Sequence, residues 1–263
     1  MATFRRHDIL QISDAGRKHA LMAAARYNQP INETLLYRVI FPNTPAIVKM
    51  QEHPRGNFLE VGFSSHLLND GARIRIKAEI PIDDITDVIT PFDLIVCVGG
   101  CRHKHIRNSL EETARLAAAH GLDVGVYGSC ALELLTGKPY ILPMSDIDII
   151  VKCRDAKADI AGFYDAAMQV SQRHGTCFDI EMLCRDGSGV KLAELLSGTK
   201  TVMCKGLLGA ELRLRESLAL LECPRTQGLQ SPRLGCQKSD SHPCQGWPWD
   251  GDCHSNSPCD CPA

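Results

Sequence analysis

The chain reads as an α/β (α+β) protein: a smaller β-rich N-terminal lobe followed by a mixed sheet with helices. Three observations predict this. Residues 73–80, RIRIKAEI, alternate between apolar and charged, the pattern of a strand with one buried face. From Phe92 onward, short apolar runs alternate with segments whose apolar residues recur near a period of 3.6. In two of those runs acids alternate with apolar residues, Asp146-Ile147-Asp148-Ile149 and Asp179-Ile180-Glu181. Side chains on a strand point to alternate faces, so each acid pair shares one face.

In the first lobe, residues 1–90, Asp14 is placed to cap a helix running through Tyr27, with Leu21, Ala24 and Ala25 on one side. Strand-like runs follow at Leu35–Phe41, Ala46–Met50 and Phe58–Phe63. His53-Pro54-Arg55-Gly56-Asn57 supplies turn chemistry between the last two. In the strand 73–80, Ile74, Ile76, Ala78 and Ile80 face one way, and Arg73, Arg75, Lys77 and Glu79 the other. The plain reading of the charged face is a solvated surface. The alternative is a basic wall for a phosphate-rich ligand, which requires that this lobe face the acids at 146 and 148. Pro81–Pro91, with Asp83, Asp84 and Asp87, reads as a solvated connector.

The second lobe, residues 91–222, opens with a strand candidate at Phe92–Val98. A helix over Arg107–His120 follows, striped by Ile106, Leu110, Ala114, Ala117 and Ala118 and ended by Gly121. A strand at 123–127 runs into Gly128-Ser129 and a short helix, with Ser129 as its expected N-cap. Gly137, Pro139 and Pro143 mark a loop before the strand 146–152. Then come a helix at about Ala156–His174 capped by Asp155, a strand at Thr176–Leu183 and a turn at Asp186-Gly187-Ser188-Gly189. A helix Lys191–Leu196, a strand Thr199–Lys205 and a last helix Leu208–Leu221 complete the lobe.

Residues 223–263 are rich in Pro, Gly, Ser and Cys, carry neither period, and read as a disordered tail. Six of the 13 cysteines lie there, without the paired C-x2-C spacing of ordinary zinc sites. The other seven lie mostly inside apolar runs, where a thiol acts as a small hydrophobe, so no disulfide framework is expected in the body.

Composition excludes some partners. The formal net charge is −2 and aromatic residues make up 5% of the 263, which argues against a nucleic-acid-binding surface built on charge and stacking. No apolar run reaches the length of a membrane span, and MATFRRHDIL lacks the apolar core of a signal peptide, so a cytoplasmic protein without membrane contact is expected.

Asp146 and Asp148, side by side at a strand's edge, are costly unless something positive sits there. The cation expected is divalent, and magnesium suits carboxylate, phosphate and water oxygens. Gly128-Ser129 offers a tight strand-to-helix turn with free N–H groups for phosphates. A third acid, Asp179 or Glu181, would complete a ligand set or act as general base on an incoming hydroxyl. A strand with a polar outer face is the competing account of that second pair.

This constellation resembles the nucleotidyltransferase superfamily of the polymerase-beta type, with Gly-Ser followed by Asp-x-Asp. Tyr127-Gly-Ser-Cys-Ala-Leu-Glu-Leu-Leu-Thr-Gly-Lys-Pro-Tyr140 with Ser145-Asp-Ile-Asp-Ile149 is similar to one family within it. That family is the malonate decarboxylase holo-acyl-carrier-protein synthases, the phosphoribosyl-dephospho-CoA transferases. Arg6-His7-Asp8-Ile9-Leu10, Val61-Gly62-Phe63, Thr90-Pro91 and Asp179-x-Glu181 fit it too, so the resemblance spans about residues 5–220. The chain departs from it at Leu132, where a tryptophan is expected, and at Gly62–Ser65, where arginines are.

The resemblance implies a nucleotidyltransferase-like mixed sheet and a defined reaction. The phosphoribosyl-dephospho-CoA group would pass from 2'-(5''-triphosphoribosyl)-3'-dephospho-CoA to a serine of the acyl-carrier subunit of malonate decarboxylase, with release of diphosphate. It further implies that Gly128 and Ser129 hold phosphates, that Asp146 and Asp148 bind Mg2+, and that Arg73 and Arg75 contact the triphosphate or the adenine-nucleotide end of the donor. Two other readings stand beside it: another metal-dependent nucleotidyltransferase, acting on a small molecule or protein, and an idle carrier- or nucleotide-binding member of the fold.

Overall fold

The computed structural model describes residues 4–27, 31–41, 44–69 and 71–220. The expected tail at 223–263 lies outside them. The described residues all fall in one compact unit, which contains two sheets.

The first sheet comprises β1 (Ile9–Ile12), β2 (Ala46–Val48), β3 (Phe58–Asn69), β4 (Ala72–Pro81) and β5 (Ile85–Ile89), in the order β4-β3-β2-β1-β5 and antiparallel throughout. Ile74, Ile76, Ala78 and Ile80 of β4 are buried as the alternation requires. They share a core with Val48, Val61 and Phe63 and with two helices, α1 (Asp14–Arg26) and α2 (Glu33–Ile40). Ser13, not Asp14, caps α1 by accepting from the Gly16 N–H, and Ala25 is exposed while Ala20, Ala23 and Ala24 are buried.

Two expectations for this lobe are overturned. Leu35–Phe41 is not a strand but most of α2, capped by Asn32, with Leu36, Val39 and Ile40 buried. Their spacing of three and four is helical, and the β-branched content of a short run did not outweigh it. Pro81–Pro91 is not a free connector: after a 3-10 turn at Ile82–Asp84 it forms edge strand β5, paired with β1.

The second sheet holds β6 (Leu122–Val126), β7 (Ile147–Cys153), β8 (Phe178–Leu183), β9 (Gly189–Lys191), β10 (Thr201–Lys205) and β11 (Ala210–Leu214). Its order is β11-β10-β9-β8-β7-β6, and only β7 and β8 run parallel, joined by the crossover helix α6 (Ile160–His174). Helix α4 (Lys104–Ala119) packs on β6 and α6.

Here too some elements differ from expectation. Phe92–Val98 is helical, as α3 (Pro91–Leu94) and a 3-10 segment at Ile95–Gly100. Thr90 and Asp93 form a capping box with Pro91 at the first helical position, which outweighs the apolar run. The final segment is β11 and a 3-10 turn rather than a helix. Asp159, not Asp155, caps α6, accepting from Gly162. The short helices fall at α5 (Gly128–Thr136) and α7 (Leu192–Leu196). All seven described cysteines are free thiols. No helix among the described residues is long and apolar enough to cross a membrane.

Candidate active site

The acids converge where β7 and β8 begin. Asp148 and Asp179 are direct neighbours across the parallel pair, and Asp146 is exposed just ahead of β7. Parity puts Glu181 on the same face, opposite Ile150. Burial, and then repulsion from Asp179, Asp146 and Glu181, pushes the Asp148 carboxyl up to about 7 against the opposing charge of Lys191. The Lys191 ammonium is 2.9 Å from Asp179 Oδ2 and is itself held charged by that contact.

Beyond β6 the chain turns sharply. The Tyr127 N–H donates to the Asp148 carbonyl at 3.1 Å, and Gly128 follows at φ +66° to start α5. A Cβ at position 128 would stand 1.9 Å from Asp148 Oδ2, so glycine is required both by the backbone and by the carboxylate behind it. Tyr127 occupies the N-cap position, without a side-chain cap bond. Ser129 therefore sits inside the first turn of α5 and is not its cap, contrary to expectation.

Asp179 and Glu181, equivalent by alternation, occupy different surroundings. The Asp179 side chain is 33% exposed, whereas Glu181 is 4% exposed and faces the N-terminal lobe. Glu181 Oε2 lies 3.5 Å from His7 Nε2 and 3.9 Å from an Arg6 guanidinium nitrogen. Burial alone would raise the Glu181 pKa; His7, Arg6 and Lys205 outweigh it and leave it lowered. His7 has φ +73°, the single positive value at a non-glycine residue among those described, and its ring lies 4.0 Å from that of Tyr127. Arg6 also donates to the Lys205 carbonyl at 3.0 Å.

The charged face of β4 does face the acids. A cleft of about 400 Å³ is lined on one side by Lys49, Arg73, Arg75 and Lys77, and on the other by Gly128, Ser129 and Asp148, with Leu132 alongside. Those four cations differ in availability. Lys77 is engaged by Glu52 at 2.7 Å and Glu60 at 3.1 Å. Arg73 donates to the Ser65 carbonyl at 3.0 Å and to that of Tyr140, and lies 5.2 Å over the Tyr140 ring.

Two residues the sequence did not single out hold the site in shape. Glu133 of α5 is buried and its Oε2 accepts from the N–H groups of Tyr140 and Ile141, each at 2.9 Å. Its Oε1 lies 3.0 Å from His103 Nε2 and 3.2 Å from Arg102 Nε. The Tyr140 hydroxyl donates to the Ser64 carbonyl at 2.9 Å, tying the loop before Asp146 to β3. One carboxylate within the apolar stretch Ala131–Leu135 was the only signal in the sequence for the first of these.

Among the described residues, no three His, Cys, Asp or Glu side chains form a ready-made metal cage. Magnesium does not need one, since it is ordinarily held by one or two carboxylates with phosphate and water oxygens. Asp146 and Asp148, two residues apart at the start of β7 with Asp179 beside Asp148, offer that number of carboxylates.

A carboxylate cluster faces a cationic wall with a glycine-started helix between them, an arrangement whose charges suit a phosphorylated ligand. Residues 94–216 match the family model of the phosphoribosyl-dephospho-CoA transferase MdcG C-terminal domain. A relative from Bradyrhizobium diazoefficiens named phosphoribosyl-dephospho-CoA transferase is 26% identical over 205 residues, covering 77% of this chain and 86% of its own. No solved structure matches. Both comparisons point the same way: residues 94–216 are similar to the C-terminal domain of that family, and the longer alignment is to a protein of the same printed name.

Proposed function

We propose that the chain transfers the phosphoribosyl-dephospho-CoA group from 2'-(5''-triphosphoribosyl)-3'-dephospho-CoA to a serine of the acyl-carrier subunit of malonate decarboxylase. The serine Oγ attacks the α-phosphorus, the bond to the β-phosphate breaks, diphosphate leaves, and the hydroxyl proton is taken up by a base. The observation that carries this reading is the single cleft with Asp148, Gly128 and Ser129 on one wall and cations on the other. A donor with phosphates at two places needs both walls.

Within that reading each residue has a task. The N–H groups at the start of α5, with Ser129, bind the departing phosphates. Asp146 and Asp148 hold Mg2+, which when bound neutralises phosphate charge. Asp179 is the third acid and accepts the serine proton: it neighbours Asp148 and reaches solvent, whereas Glu181 is buried against His7. Arg73 and Arg75 contribute positive charge to the wall that faces the donor.

The test is mass spectrometry of the apo acyl-carrier subunit after incubation with this protein, magnesium and the donor. The expected result is a serine-linked gain of the prosthetic group, absent with Asp148→Ala. No gain from that donor but label transfer from ATP would replace the reading with another nucleotidyl transfer.

A further inference from the structure

The donor of the proposed reaction carries two separate anionic groups, the 5''-triphosphate that reacts and the diphosphate of the dephospho-CoA moiety that does not. We propose that Lys49 and Arg75 form a second anion subsite that takes the non-reacting diphosphate and so fixes which way round the donor lies. This rests on the function proposed above and assigns its binding determinants.

The four cations of the wall are not equivalent. Lys77 is neutralised by Glu52 and Glu60, and Arg73 is occupied by two backbone carbonyls and the Tyr140 ring. Lys49 and Arg75 line the same cleft, and neither side chain has an ion pair or hydrogen bond among the described residues, although Glu52, already bound to Lys77, acts on Lys49 at longer range. A cation held in a cleft without a bonded carboxylate is poised for an anionic ligand.

The backbone beneath them supports the assignment. Gly62 of β3 pairs with Ile47 of β2 and Lys77 of β4, on the cleft face of the sheet. A Cβ at 62 would lie 3.2 Å from Lys49 Cδ and 3.4 Å from its Cγ, so the lysine stem lies along the bare glycine backbone. A side chain there would make the stem give way. Both free cations belong to the sheet wall, while Asp148, Gly128 and Ser129 belong to the opposite wall. One ligand spanning the cleft therefore meets the carboxylate wall with one phosphorylated end and the cations with the other. The reacting triphosphate goes to the carboxylates, where magnesium and the start of α5 are available, which leaves the CoA diphosphate for Lys49 and Arg75.

Calorimetric titration of the full chain with two probes, dephospho-CoA and inorganic triphosphate in the presence of magnesium, tests this. Loss of charge-assisted bonds in Lys49→Ala/Arg75→Ala should weaken dephospho-CoA binding by about tenfold or more, with triphosphate binding unchanged. Lys49→Arg should retain most of the affinity, and Gly62→Val should weaken dephospho-CoA selectively through the displaced lysine. Equal losses for both probes, or no loss for dephospho-CoA in a double variant with unchanged thermal unfolding, would overturn the subsite alone. A wild-type chain that binds triphosphate but not dephospho-CoA would overturn the proposed reaction and this subsite with it.

Discussion

Gly128 and Asp148 are packed so closely that no side chain can exist between them: a Cβ on the glycine would fall 1.9 Å from Asp148 Oδ2. The backbone at 128 is also left-handed, at φ +66°. Gly128→Ala therefore carries a conformational cost of about 1–2 kcal/mol and displaces the carboxylate as well. Transfer activity should fall by about a hundredfold or more, since misplacing a reacting group by an ångström has that effect. Thermal unfolding and single-turnover rates measured on one preparation separate the two effects.

The pH dependence of stability should carry the mark of Asp148. Its folded pKa is raised to about 7, above that of an unfolded aspartate, so the folded state binds this proton more tightly. The group favours folding at low pH, and that contribution is lost as pH rises from about 4 to about 7. Asp148→Asn should accordingly stabilise the metal-free protein at pH 8 by about 1–2 kcal/mol, allowing for solvent screening at the cleft, and make no difference at pH 4. Urea unfolding at the two pH values decides it; a variant less stable than wild type at pH 8 contradicts the assignment.

Asp179 and Glu181 should separate cleanly. Asp179→Asn is expected to cost about a hundredfold or more in transfer rate, as loss of a general base does, with little change in unfolding. Glu181→Gln leaves Arg6 and His7 facing an uncharged buried group and should cost about 1–3 kcal/mol of stability at pH 7. The Glu181 pKa is lowered in the fold, so this contribution is present at neutral pH and fades as pH falls through the carboxylate range. The opposite pattern would make Glu181 the third acid.

Glu133 pins the loop that leads to Asp146. Glu133→Ala removes the acceptor for two amides and should cost about 2–4 kcal/mol. Hydrogen exchange at the Tyr140 and Ile141 amides should accelerate beyond the global change, reporting local release of the loop. Protection unchanged at those two amides would show that something else holds them.

The site's acids were legible because strand parity is local: Asp146 with Asp148, and Asp179 with Glu181, share a face by alternation alone. The difference between Asp179 and Glu181 was not, since it is made by Arg6 and His7, more than 170 positions away in the chain. The same holds for the basic wall. Alternation placed Arg73, Arg75 and Lys77 together, but only the tertiary fold sets them opposite Asp148. Local errors arose in short apolar segments. Leu35–Phe41 and Phe92–Val98 have strand-like composition, and their helical state is set by Asn32 and by the Thr90–Asp93 capping box at their starts. Near the end of the described residues, Ala210–Leu214 became a strand because the open edge of β10 was there to pair with it.

Tyr140 joins the two walls of the cleft: its N–H donates to Glu133 of α5, while its ring and carbonyl receive Arg73 of β4 and its hydroxyl binds Ser64 of β3. It acts as a rivet rather than a hinge. On the proposed reading, a donor entering the cleft would meet cations on one wall and carboxylates on the other, with Tyr140 tying the walls together, and would be measured for length as it binds. Recognition of this kind would reject a shorter or longer phosphorylated molecule by misfit at one end.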